Sequence, residues 1–131
     1  MSTDGAAFQL LQNALSAAQL SQQVYANNIA NVSTPGYKEE TVNFEAALQN
    51  AMSQPTASGV STDGSSVNWD AMLQVQPTVS QDSSTVISNN GNNVDINAQM
   101  AGMAENQIRY NALVQDVQLR LQRYQTAING G

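Results

Sequence analysis

The sequence predicts a mainly α fold: long N- and C-terminal helices paired as an antiparallel coiled coil, with a poorly ordered or extended central segment. Two observations define the helices. Apolar residues recur at alternating steps of three and four from Phe8 to Val32, and again from Ile96 to Ile128. A third observation separates them: residues 53–93 are rich in Ser, Thr, Asn, Gln, Asp and Gly and hold no decisive period.

Residues 1–7 are small and polar and read as a flexible N-terminus, with Asp4 a candidate helix N-cap. Residues 8–34 form the N-terminal core helix, its stripe running Phe8, Leu11, Leu15, Ala18, Gln22, Tyr25, Ile29, Val32. Only Gln22 breaks the apolar pattern, and neither Pro nor Gly interrupts it. The helix must end near Asn31–Ser33, because Pro35 biases Thr34 toward extended backbone and Pro35-Gly36 favours a turn. Residues 35–52 hold that turn and a possible short helix over 42–52, with Phe44, Ala47, Leu48 and Met52 on one side.

Residues 53–93 form a low-order linker or loop in which a small β-hairpin around Val67–Val79 is one option. Asn89-Asn90-Gly91 closes this zone as a turn, and Asp95 is a candidate N-cap for the C-terminal core helix within 94–131. Its stripe runs Ile96, Met100, Met103, Gln107, Tyr110, Val114, Val117, Leu121, Tyr124, Ile128, again with a single glutamine. A helix of about 33 residues is about 50 Å long, and Asn129-Gly130-Gly131 marks its end.

An antiparallel pairing predicts a seam that sets Phe8 against Tyr124, Leu11 against Leu121, Leu15 against Val117 and Ala18 against Val114. It continues with Gln22 against Tyr110, Tyr25 against Gln107, Ile29 against Met103 and Val32 against Met100. In this register each glutamine faces a tyrosine, and the four residues can fix the pairing as isolated polar core residues do; alternatively both amides reach solvent. Leu10, Leu20 and Val24 on the first helix, and Ile108 and Leu119 on the second, lie off the seam. Helices with a second packable face suit a larger helical assembly.

Composition removes most chemistry. The chain has 131 residues, four Lys+Arg against ten Asp+Glu, a net charge of -6, and neither cysteine nor histidine. Disulfides, thiol catalysis and the commonest general base and metal ligand are therefore absent. The acidic balance argues against nucleic-acid or anionic-lipid partners, and no apolar run reaches the length of a membrane span. Neither catalytic nor cofactor residues are expected. Gln and Asn fill roughly a quarter of the chain. A basic n-region and compact h-region are missing from the first thirty residues, so no cleaved secretory signal is expected.

Residues 26–38 read Ala-Asn-Asn-Ile-Ala-Asn-Val-Ser-Thr-Pro-Gly-Tyr-Lys. Three asparagines at a helix end offer amides for bonds to another backbone. This string closely resembles the N-terminal motif of bacterial flagellar axial proteins, the rod, hook and hook-associated subunits. Gly91-Asn92-Asn93-Val94-Asp95-Ile96, Met100, Ala104-Glu105-Asn106-Gln107 and Arg109-Tyr110-Asn111-Ala112-Leu113 look like the basal-body rod members of that family. The likeness covers both terminal zones and leaves the centre unmatched. Gly102, inside the second helix, departs from a continuous helix former at a cost of about 1 kcal/mol relative to Ala.

The resemblance implies a structural subunit of the proximal rod that polymerises by helix packing into the torque-transmitting shaft and the wall of its export channel. It implies export through the flagellar type III apparatus and a place in the periplasmic part of the basal body. Implied partners are further copies, other rod proteins, the basal-body adaptor at the membrane ring and the export apparatus. Asn27, Asn28, Ile29, Asn31, Pro35, Gly36 and Tyr37 would form the subunit-contact motif. Two alternatives stand beside this reading: a secreted helical component of a related export system, and a carboxylate-based cell-wall hydrolase using Glu39, Glu40 and Glu45.

Overall fold

A computed structural model describes residues 3–55 and 67–130. The fold is mainly helical, and the long N- and C-terminal helices pack against each other. Helix α1 (Thr3–Ala30) and helix α4 (Ile96–Ile128) run antiparallel. Between them lie β1 (Glu40–Asn43), α2 (Glu45–Met52), α3 (Trp69–Leu73) and β2 (Thr78–Gln81).

Helix α1 starts at Thr3, ahead of the expected Phe8, so Asp4 sits inside the first turn. There it accepts hydrogen bonds from Tyr124 Oη at 2.9 Å and Arg120 Nη1 at 3.4 Å. A carboxylate in the first turn also complements the helix dipole. At the far end of α1 the chain leaves the helix after Ala30, and Gly36 takes φ +72° in the turn that follows Pro35. Asp95 caps α4 as expected, its Oδ1 accepting from Asn97 N at 3.0 Å and Ala98 N at 3.4 Å.

The centre is more ordered than its composition suggests. Part of the expected linker, residues 56–66, lies outside the described residues. Residues 67–93 carry α3, β2 and a bonded loop instead of a local hairpin around Val67–Val79. The strand partner comes from far away in sequence: β2 pairs antiparallel with β1, Val42 opposite Val79 and Thr41 opposite Ser80. Those few alternating residues were too short to outweigh the apparent helical period of 42–52, and the helix is confined to Glu45–Met52.

Burial follows from this layout. One side of α1 meets α4, and a second side meets β1 and α3, covering Ala17, Val24 and Asn28. Val24, off the expected seam, is thus buried by the chain's own centre. Phe44, Ala51, Met72 and Val94 complete a core in which alanine is the commonest residue.

Candidate functional site

The most built part of the molecule is the joint where α1 ends and α4 begins. Its three fully buried side chains are asparagines: Asn28, Asn92 and Asn93. A buried amide is tolerated only when its donors and acceptors are met, and here they are. Asn28 Nδ2 donates to Glu40 O at 2.8 Å and to Gln99 Oε1 at 2.9 Å. Its Oδ1 accepts from Glu40 N and from Tyr37 Oη, both at 3.0 Å. One side chain thereby ties α1, the Pro-Gly turn, β1 and α4 together.

Asn92 and Asn93 complete the joint from the other strand of chain. Asn92 Nδ2 donates to Asn31 O and Thr34 O at 2.9 Å, a second donor to carbonyls that already accept from Thr34 N and Tyr37 N in the turn after α1. Asn92 Oδ1 accepts from Val94 N at 2.7 Å. Asn93 Nδ2 donates to Asp82 O at 2.8 Å and Thr85 Oγ1 at 2.9 Å, while its Oδ1 accepts from Glu39 N. Gly36 and Gly91, both at positive φ, meet back to back; a Cβ on Gly91 would stand 3.7 Å from Gly36 Cα.

The contact-motif residues are therefore divided. Asn28 has 0 % exposure, so its whole amide serves the chain's own fold. Ile29 and Asn31 are half-buried. Asn27, Pro35 and Gly36 are exposed. Asn27 Nδ2 still donates to Tyr37 Oη at 3.0 Å, and Asn31 Nδ2 returns to Asn27 O at 2.8 Å. Burial raises the pKa of the Tyr37 phenol, and the Glu40 carboxylate adds to the rise.

The helix pair is registered differently from the expected seam. Phe8 and Tyr124 do meet, edge to face, with centroids 6.0 Å apart. Gln22 Oε1, however, accepts from Asn106 Nδ2 at 3.0 Å instead of facing Tyr110, a slide of one helical turn on α4. Asn106 also donates to Ala18 O at 2.9 Å. Tyr110 Oη accepts a long bond of 3.5 Å from Gln19, and Gln107 points to its own helix, donating to Asn111 Oδ1 at 3.2 Å. Tyr25 packs on Gly102, not on Gln107.

The reason lies in a stripe that the apolar pattern did not include. Gln99, Asn106, Leu113 and Arg120 are spaced by seven, and Gln99, Asn106 and Arg120 each bond across to α1. Turning these toward α1 rotates the apolar stripe outward. Leu11, Leu15, Met103, Val114 and Val117 become half-buried, and Leu121 is 47 % and Met100 57 % exposed. The spacing of Gln99, Asn106 and Arg120 in multiples of seven was readable in the sequence; their partners on α1 were not.

Residues 8–38, which run through α1 into the joint, match a family profile described as "Flagella basal body rod protein". The chain is also 38 % identical over 132 residues to the flagellar basal body rod protein FlgB of Bacillus subtilis (strain 168), covering 100 % of this chain and 99 % of that one. The chain belongs to the FlgB family of flagellar basal-body rod proteins. FlgB of Borrelia hermsii is 38 % identical over 102 residues, 73 % of this chain and 76 % of its own. FlgB of Yersinia enterocolitica is 32 % identical over 115 residues, 82 % and 81 % respectively.

This FlgB-family chain is a structural rod component and not an enzyme. Its acidic cluster serves the fold: Glu39 Oε1 accepts from Gln99 Nε2 at 2.6 Å, Glu40 Oε2 from Asn27 Nδ2 at 3.4 Å, and Glu45 pairs with Arg109 of α4. Among the described residues no group of acidic side chains could hold a metal ion, and no helix is long and apolar enough to cross a membrane.

Proposed function

We propose that this chain is a polymerising subunit of the proximal rod, held in place by packing of its α1–α4 pair against neighbouring helices. One observation carries the reading: large apolar side chains of α4 are left uncovered in the isolated chain. The largest fully buried side chains are asparagines, while Met100, Ile108, Leu119, Leu121 and Ile128 of α4 are between 47 % and 84 % exposed. Burying one such side chain contributes about 1.5–3 kcal/mol, so covering this helix by neighbours is a strong drive to associate. Amide bonds set the internal register, which leaves apolar surface for contact between subunits.

In the rod these contacts would share torque among many side chains and form the wall around the export channel. Other rod proteins, the adaptor at the membrane ring and the type III export apparatus are the partners in this reading, and the periplasmic basal body is the location. A subunit exported unfolded benefits from lacking cysteine, which removes thiol oxidation and disulfide formation on arrival. The subunit-contact role falls to the exposed side of the joint, Asn27, Pro35 and Gly36, and to the outward stripe of α4. Sedimentation velocity and far-ultraviolet circular dichroism across a concentration series test the proposal. Oligomers whose helicity and melting temperature rise with concentration are expected; a cooperatively melting monomer at all concentrations would overturn it.

A further inference from the structure

Two asparagines in the chain are followed by glycine, Asn90 and Asn129. Such a pair is chemically labile, because glycine has no side chain to keep its nitrogen away from the asparagine amide. Both asparagines are exposed, yet the fold holds them differently. Asn129 follows the end of α4, and its side chain makes no hydrogen bond among the described residues. Asn90 is tied into the joint. Its Oδ1 accepts from Asn92 N at 3.1 Å and from Ser88 Oγ. Its backbone O accepts from Gly36 N at 2.9 Å, and Gly91 N donates to Ser88 O at 3.1 Å. Gly91 stands at φ +84°, where any side chain is strained, so the turn itself requires the glycine that makes Asn90 reactive.

We propose that Asn90-Gly91 is a modification site, shielded in the folded joint and open in the unfolded chain, whose isoaspartate product bars the chain from folding. In the first step Gly91 N attacks Asn90 Cγ. The new C–N bond closes a succinimide ring, the Gly91 N–H proton passes to the leaving amide nitrogen, and ammonia departs. Water then opens the ring. Addition at Cγ leaves aspartate at position 90. Addition at the backbone carbonyl carbon leaves isoaspartate, with the main chain running through the former side chain.

The joint opposes the first step. Forming the ring removes the Gly91 N–H, so its bond to Ser88 O is lost outright. Closure also draws the side chain into the plane of the backbone, against the bonds that anchor Asn90 O to Gly36 N and Oδ1 to Asn92 N. Reaction therefore waits for local opening, and its rate scales with the open fraction. The two products then differ in what they permit. Aspartate still offers a carboxylate oxygen to Asn92 N and Ser88 Oγ. Isoaspartate adds a methylene to the main chain between the groups bonded to Gly36 and Ser88, and one turn can no longer satisfy both.

Peptide mapping by mass spectrometry, on the full-length chain aged in neutral buffer and in guanidinium chloride, tests the proposal with Asn129 as internal reference. In denaturant the two asparagines should deamidate at similar rates. In buffer Asn90 should lag Asn129 roughly tenfold or more, as for an opening that costs about 1.4 kcal/mol or above. Equal rates in buffer, or the same lag in denaturant, would overturn the shielding. The aged denatured sample is then returned to buffer. Isoaspartate at position 90, read by enzymatic methylation of isoaspartyl groups and located by mapping, should collect in the chains that fail to regain helicity. The variant Asn90→Asp should melt as the unmodified chain does. Isoaspartate-bearing chains that melt normally, or an Asn90→Asp chain that does not fold, would overturn the second half of the proposal.

Discussion

Gly102 lies directly under the ring of Tyr25: a Cβ added there would stand 2.7 Å from Tyr25 Cε1 and 2.9 Å from its hydroxyl. The glycine that weakens α4 as a helix is thus the residue that makes room for the Tyr25 ring of α1. Two effects compete in Gly102→Ala, a helix gain of about 1 kcal/mol and an overpacking cost of about 1–3 kcal/mol. Overpacking should win, lowering the melting temperature. In a Tyr25→Ala background the same change should become stabilising by about 1 kcal/mol. A double-mutant cycle from denaturant melts reads the reversal; additive effects would refute the close approach.

Asn28 has four bonds to groups that are themselves partly buried. Asn28→Ala should cost about 2–4 kcal/mol, because Glu40 N, Glu40 O and Gln99 Oε1 lose their partner together. Asn28→Asp should cost more at neutral pH, since a carboxylate cannot donate to Glu40 O and brings charge beside Glu39 and Glu40. Acidification through the carboxyl range should recover part of that loss. Melting temperatures of both variants between pH 4 and pH 7 check the order.

Asn106 sets the register of the helix pair through Ala18 O and Gln22. Asn106→Leu keeps the branched shape, adds volume at a buried site and leaves Gln22 Oε1 without its donor, so it should cost about 1–3 kcal/mol. Register should loosen as well. The measurement is the ring-current shift of the Gly102 amide under Tyr25, which should shrink in the variant while helicity is retained.

Two phenols give the fold an alkaline limit. The Tyr124 pKa is raised chiefly because its hydroxyl donates to Asp4, and that of Tyr37 chiefly by burial. A raised folded-state pKa means that these contributions are intact below about pH 10 and are lost as pH rises through the folded values. Helicity should therefore fall above that range. Tyr37→Phe and Tyr124→Phe should each lower the melting temperature at neutral pH and make the alkaline loss shallower; an unchanged alkaline profile in the double variant would contradict the assignment.

Local rules were enough for the helices. The three-four apolar rhythm, Pro35-Gly36, the Asp95 cap and the terminal glycines depend on neighbours in sequence, and α1 and α4 stand within a few residues of where those signals put them. The string from Ala26 to Lys38 likewise carried the axial-protein resemblance, and the stretch from Gly91 to Leu113 narrowed it to the rod members. Long-range partners were beyond such rules. Strand β1 exists because β2 lies beside it, and Asn28 is a joint residue because residues 92–99 fold back onto it.

The sequence by itself determined two amphipathic helices and the absence of thiol and imidazole chemistry, because periodicity and composition are local properties. Only the tertiary structure decided which face of α4 meets α1. Apolar burial is non-directional and tolerates a one-turn slide, whereas the amides of Asn28, Asn106 and Gln99 bond only in one register. That choice puts Gln99 and Asn106 inside and turns Met100 and Leu121 outward.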